Sequence, residues 1–184
     1  FSIDNYPRGH WRTFTPAIKY ISHELGPLLY IMDDYCTSVS CMVPTAASYN
    51  KYRDNNENGI AIFRTAKGAV IRIFIGFGMY VGYDHNFAIY GTKGTIICDN
   101  TSDHMQLFED DAPNDKIYTK PQILPVDINN HNVGAEIDMF VEAILANAPM
   151  PVSSMEGAST VAVCSATVES ARVGKPIQIT YPNV

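Results

Sequence analysis

The hydrophobic positions of this chain change period along its length, and the changes mark its elements. Between Thr15 and Met32, residues Ile18, Ile21, Leu25, Leu28, Leu29 and Met32 recur at helical spacing and form one apolar stripe. The spacing predicts a helix over 15–32. Thr15 is its expected N-cap, and Pro16 its first helical residue, where a missing N–H costs nothing. Pro27 has no N–H for the His23 carbonyl and crowds it, which predicts a kink or break just after His23. Asp33-Asp34 ends the pattern. From Thr37 to Val43 the period drops to two, with Val39, Cys41 and Val43 opposite Ser38, Ser40 and Met42, as in a half-buried strand. Residues 44–59 are polar and turn-rich, with Asp54-Asn55-Asn56-Glu57-Asn58-Gly59 as an exposed loop. Ile60–Thr65 and Ala69–Phe77 are two strong strands joined at Lys67-Gly68. In the second, Ile71, Ile73, Ile75 and Phe77 share one face, and Val70, Arg72, Phe74 and Gly76 share the other. Apolar residues on both faces predict cover on both. Helices would cover one. A partner domain or subunit would cover the other, at Arg72, Phe74 and Ile60 or Phe63.

Asn86–Tyr90 and Thr95–Cys98 read as a hairpin around Gly91-Thr92-Lys93-Gly94. Met105–Phe108 and Lys116–Lys120 read as further strands, with an acidic turn over 110–115 between them. Ile137, Phe140, Val141, Ile144 and Leu145 predict an amphipathic helix over Gly134–Ala146. Ser153-Ser154-Met155-Glu156 is a capping box that opens a second helix, Ser154–Val173, rich in small residues and suited to close packing on a sheet. Gly174 ends it, and Ile177–Thr180 is the last expected strand. Phe1–Phe14 shows no period and reads as a loop. The sum is an α+β domain, a mostly antiparallel open sheet with helices packed on one face.

Composition narrows the function classes. The length of 184 residues suits one domain with a real core. Net charge is −6 and no basic run exists, which argues against a nucleic-acid surface. The longest apolar run, Ala69–Val81, is interrupted by Arg72 and by glycines, so it is no membrane span. Its continuation to Gly82 has the spacing G-x-G-x-x-x-G with no amphipathic helix after it. These glycines relieve strand twist or allow a bulge rather than cradle a dinucleotide. Cys36, Cys41, Cys98 and Cys164 form no C-x-x-C pair and sit in apolar contexts, as buried free thiols do, which fits a reducing, cytoplasmic compartment.

Candidate chemistry lies on the polar side of the first predicted helix. At about 100° per residue, Lys19 falls roughly 40° and Tyr20 roughly 60° around the axis from His23. A Lys, a Tyr and a His thus project together, away from the core stripe. Such a face is either a solvated surface or a proton-handling site. His23 is the natural proton carrier because an imidazole titrates near neutrality. Tyr20 can serve as acid or base if its pKa falls from about 10, and a charged Lys19 nearby favours the phenolate. Trp11 and Arg12 are candidate walls of a binding site, since Trp stacks and Arg bonds hydroxyls; the plain alternative is a packed Trp with a surface Arg. His85, just ahead of the second hairpin, is either a surface residue or a further substrate contact.

Three stretches also resemble one family in the right order. Tyr20, His23, Leu25, Gly26 and Pro27, as Y-x-x-H-x-L-G-P, resemble the start of the C-terminal domain in the Gfo/Idh/MocA family of NAD(P)-dependent sugar oxidoreductases. The match looks closer to its NAD-dependent glycoside hydrolase-like branch. Lys19 stands where many family dehydrogenases carry Asp. The run I-Y-G-T-K-G-T-I-I from Ile89 resembles a second family signature of structural role, and E-I-D-M-F-V-E-A-I followed by the small-residue helix and G-K-P-I-Q-I resembles the family's C-terminal end. The resemblance implies that residues 1–184 are a single substrate-binding and oligomerisation domain acting on a sugar or sugar derivative. NAD or NADP would be held mainly by an N-terminal Rossmann domain absent from this sequence. It also implies His23 and Tyr20 as catalytic groups, and a homo-oligomer formed through the sheet face. The outcome would be hydride transfer or oxidative glycoside cleavage. The alternative class is a non-catalytic oligomerisation or carbohydrate-binding module of the same fold.

Overall fold

The computed structural model describes residues 10–44, 58–77, 85–98, 104–109, 120–126 and 133–182. The chain divides into two compact units, Phe1–Tyr80 with Pro149–Val184, and Val81–Ala148. The first unit holds an antiparallel sheet of order β3-β2-β1-β8, built from β1 (Cys36–Met42), β2 (Asn58–Thr65), β3 (Val70–Gly76) and β8 (Ile177–Gln178). Alternation along β2 is strict: Gly59, Ala61, Phe63 and Thr65 are buried, while Ile60, Ile62 and Arg64 are exposed. The choice between Ile60 and Phe63 for the outer face is therefore settled in favour of Ile60, because Phe63 is wholly enclosed. A register shift between Cys36 and Ser38 lets Cys36 and Val39, three residues apart, both face inward.

The polar loop expected to run to Gly59 gives way to strand at Asn58. Gly59 is buried, and a Cβ on it would lie 3.1 Å from Ile18 Cδ1 and 3.2 Å from Val43 Cγ1. Its lack of a side chain lets the segment after Pro16 lie close against β2.

The inner sheet face is covered by helical segments, as the pattern predicts, but the first segment differs from expectation. Residues Trp11–Phe14 form a one-turn helix, α1, where a loop was expected. The single helix expected from Thr15 is instead a 3-10 turn, Ala17–Ile21, followed by α2 (Ser22–Met32). Thr15 caps neither: its hydroxyl donates to the Trp11 carbonyl at 3.2 Å. Pro16, at φ −56° and ψ 135°, precedes the turn as its N-cap instead of opening it. Helix α2 continues through Pro27 without a break, and the change of winding falls before His23, between Ile21 and Ser22. The apolar stripe does what its spacing predicts. Ile18, Ile21 and Leu25 enter a core with Val39, Phe63, Ile71, Ile73, Ile75 and Val163, while Leu28, Leu29 and Met32 pack at its edge.

Helix α4 (Ser154–Val173) has the predicted bounds. The Ser153 hydroxyl accepts from Glu156 N–H at 3.1 Å, Glu156 Oε2 accepts from Ser153 N–H at 2.6 Å, and Gly174 closes the helix at φ 66°. Its buried face is Val163, Cys164, Thr167 and Ser170. Strand β8 pairs with β1 only at Ser38 and Val39, and beyond that point Ser170 Oγ accepts the Cys41 N–H at 2.9 Å. The four cysteines are free, with Cys36, Cys41 and Cys164 buried and Cys98 half-buried.

The second unit holds a second antiparallel sheet, of order β4-β5-β6-β7, with β4 (Phe87–Tyr90), β5 (Gly94–Cys98), β6 (His104–Glu109) and β7 (Gln122–Pro125), and the helix α3 (Val133–Ala146). A Cβ on Gly94 would lie 2.6 Å from the Phe108 carbonyl oxygen, so the last glycine of G-T-K-G is required by strand approach. Helix α3 forms where the period predicts, with Ile137, Phe140, Val141, Ile144 and Leu145 exposed. The strand expected over Lys116–Lys120 lies, apart from Lys120, outside the described residues, as do the acidic turn over 110–115, Gly78 and Gly82. Among the described residues no helix is long and apolar enough to cross a membrane.

Candidate functional site

The 3-10 turn decides which side chains meet. A 3-10 helix advances about 120° per residue, against about 100° in an α-helix. Across the boundary at Ser22, Tyr20 therefore moves to roughly 40° from His23 and Lys19 to roughly 80°, the reverse of the order a continuous α-helix predicts. The rings of Tyr20 and His23 stack, with centroids 4.6 Å apart and planes at 20°. Phe77, just after β3, meets the Tyr20 ring edge-on at 5.3 Å and 86°. His23 and Lys19 are exposed, and Tyr20 is half-buried.

Ser22 Oγ lies 3.3 Å from His23 Nδ1. If Nδ1 carries the proton and donates it to Ser22, Nε2 presents a lone pair and His23 is a base; in the other tautomer Nδ1 accepts from Ser22 and Nε2–H is a hydrogen-bond donor. The Ser22 N–H donates to the Tyr20 carbonyl, and the buried Cys164 of α4 lies nearby. Burial pushes the Cys164 thiol up, against the pull of the Ser22 N–H and the Lys19 charge.

The remaining sequence candidates are placed as follows. Trp11 is 63% exposed, and its ring lies 5.6 Å from that of His10. Arg12 is on α1, with its side chain outside the described residues. His85 is half-buried and belongs to the second unit, ahead of β4. Two contacts were not singled out from sequence: Ser22 at Nδ1 and Phe77 at Tyr20. Alternation along β3 did put Phe77 on the side of Ile71, Ile73 and Ile75, the face the helices cover, and that was the available signal.

Among the described residues no three His, Cys, Asp or Glu side chains converge as metal ligands. Every described strand pairing is antiparallel. The described residues therefore contain no βαβ unit of the kind that presents a Gly-rich turn to a dinucleotide pyrophosphate, and they do not fit that role.

Antiparallel sheets, one of them backed by a helical layer that carries a stacked Tyr–His pair, define an α+β module. The chain belongs to the Gfo/Idh/MocA family: residues 10–179 match the "Oxidoreductase family, C-terminal alpha/beta domain". No curated protein sequence matches it. Among solved structures, levoglucosan dehydrogenase in complex with NADH aligns over 99% of this chain and 56% of its own, at TM-score 0.77 and 17% identity. The WlbA dehydrogenase from Bordetella pertussis, in complex with NADH and UDP-GlcNAcA, aligns over 99% of this chain and 52% of its own, at TM-score 0.70 and 17% identity. Aldose-aldose oxidoreductase from Caulobacter crescentus, complexed with glycerol, aligns over 86% of this chain and 45% of its own, at TM-score 0.68 and 16% identity. At these identities the likeness is one of fold. The chain spans about half the length of these proteins.

Proposed function

We propose that both units together, residues 1–184, are the substrate-binding C-terminal domain of an NAD(P)-dependent sugar oxidoreductase or oxidative glycosidase-like enzyme. The observation that carries this reading is the stacked Tyr20–His23 pair on the side of the turn away from the core. Family membership supports the oxidoreductase class. The solved relatives support a sugar-type substrate and a nicotinamide cofactor, since their complexes contain NADH, levoglucosan or L-sorbose. The cofactor, NAD or NADP, is held mainly by an N-terminal Rossmann domain of the full-length protein. A cytoplasmic site is supported by the free thiols.

This chain's own part is proton handling. Oxidation of a secondary alcohol requires loss of the hydroxyl proton, and His23 takes it at Nε2 while Nδ1–H is held by Ser22. In the glycosidase-like outcome, Tyr20 removes the acidified proton beside the new carbonyl, or protonates the leaving oxygen. Lys19, exposed beside the pair, donates to a sugar hydroxyl. Trp11 and Arg12 contact the sugar, with support from the exposed Trp11 indole for the first. A second role accompanies the first: the exposed outer sheet face carries homo-oligomer contacts.

His23→Ala in the full-length protein tests the reading, with levoglucosan plus NAD or NADP and a panel of p-nitrophenyl glycosides as probes. Turnover should fall about 10²–10⁴-fold, the usual worth of a positioned acid–base group. The melting temperature should stay unchanged, because the exposed imidazole gives up no core contact. A lowered melting temperature with activity tracking the folded fraction would make His23 structural. Unchanged turnover with a stable fold would remove it from the mechanism.

A further inference from the structure

Tyr20 sits between two rings supplied by different elements. Its face lies against His23, in the first turn of α2, and the ring of Phe77, just past the end of β3, stands perpendicular to it. Tyr and His side chains each turn about two bonds, and an exposed imidazole is free to rotate unless a neighbour fixes its plane. The 3-10 winding brings Tyr20 over His23, but winding alone does not hold a half-buried phenol ring in one rotamer. A perpendicular aromatic contact does, because it sets both the distance and the angle of the ring it touches.

We propose that Phe77 is a positioning residue. It clamps the Tyr20 ring so that Tyr20 in turn holds the His23 imidazole stacked and aimed. Phe77 acts through Tyr20, whose ring it meets. Its anchor is independent of the helix, since β3 is fixed in register against β2 from Val70 to Gly76. The orientation of the pair is thereby set by the sheet as well as by the turn. The inference rests on the catalytic reading of His23 for its consequence, but not for its geometry.

The test reads the geometry directly. In protein labelled at histidine, the His23 ring protons should resonate upfield of an ordinary imidazole, because they lie over the Tyr20 ring; His23→Gln identifies the signal. Phe77→Leu, close in volume but without a ring, should abolish most of that upfield displacement and broaden the signal, with the melting temperature little changed. Phe77→Tyr keeps the aromatic edge and should restore the wild-type signal. If Phe77→Leu leaves the His23 resonances where they were, the clamp is refuted. Should Phe77→Leu fail to fold, Phe77→Tyr and Phe77→Met are compared. Displacement retained in the Met variant also refutes the clamp, and loss in Met with retention in Tyr supports it. In full-length enzyme the same Leu variant should lower kcat with KM little changed. Displaced resonances with unaltered turnover would uphold the clamp and instead remove His23 from the chemistry, so the two readings fail separately.

Discussion

Ser170 carries two hydrogen bonds that no backbone ladder supplies. Its hydroxyl accepts the Cys41 N–H where β8 has ended and donates to the Lys175 carbonyl at 2.7 Å, just past the helix C-terminus. Thr167, one turn earlier and equally enclosed, only donates to the Val163 carbonyl of its own helix at 2.8 Å. The two buried hydroxyls should therefore differ in worth. Ser170→Ala strands a buried N–H and should lower stability by about 1–3 kcal/mol. Thr167→Val keeps the shape and removes a bond to a carbonyl that the helix already serves, so it should cost far less. Urea unfolding of both variants checks the contrast, and equal losses would show that the Cys41 N–H is not what Ser170 serves.

At the scale of elements, the C-terminal segment staples the start of β1. Ile179 N–H donates to the Thr37 carbonyl at 2.9 Å, Tyr181 OH donates to the Cys36 carbonyl at 2.7 Å, and the Tyr181 ring meets Tyr35 edge-on. The groups enclosed here are neutral acids. Burial pushes the Cys36 thiol up to about 12, with the Asp34 charge adding to it, and pushes Cys41 up to about 11. Burial, then the neighbouring Cys36, raises the Tyr181 phenol to about 12. A folded-state pKa raised above the unfolded value favours the protonated form in the fold. The stability this contributes is whole below the ordinary thiol value of 9.0 and is lost as pH rises through 11 and 12. Urea midpoints should hold from pH 7 to about 9 and fall above it. Cys36→Ala combined with Tyr181→Phe should flatten that fall, whatever it does to the midpoint at pH 7. An unflattened fall would place the alkaline weakness elsewhere.

Elements were legible in this sequence where one local signal settled them. Helix α4 could be read to the residue because Ser153, Glu156 and Gly174 act within their own turns. Strands β2 and β3 could be read because burial follows strict alternation. The 3-10 turn could not, because its cause is not local. Thr15 and Pro16 carry the signals of a helix start, yet Thr15 is drawn back to Trp11 and Ile18 is seated against Gly59, more than forty residues on. The site inherits that limit. His23 and Tyr20 were visible as a pair from spacing alone, but their stacking depends on the winding, and Phe77 reaches them from another element.

For the whole molecule, the outer face of the first sheet is graded in cross-strand rows. Met42, Ile60 and Phe74 lie opposite one another in one row, Ser40, Ile62 and Arg72 in the next, and Ser38, Arg64 and Val70 in the third. Met42 is 75% exposed, Phe74 55% and Ile62 48%. A contiguous apolar patch beside arginines on an exposed sheet face is the composition of an association surface. A twofold pairing of this face would place apolar rows on apolar rows, and the arginines keep it soluble until it is covered. Light scattering on the full-length protein should therefore report an oligomer. Ile62→Lys with Phe74→Lys should shift it to monomer without loss of helix or sheet signal, since both side chains point away from the core. The charge would face charge across any such pairing, so the effect should weaken as salt is raised. A wild-type protein that stays strictly monomeric at high concentration would refute the interface.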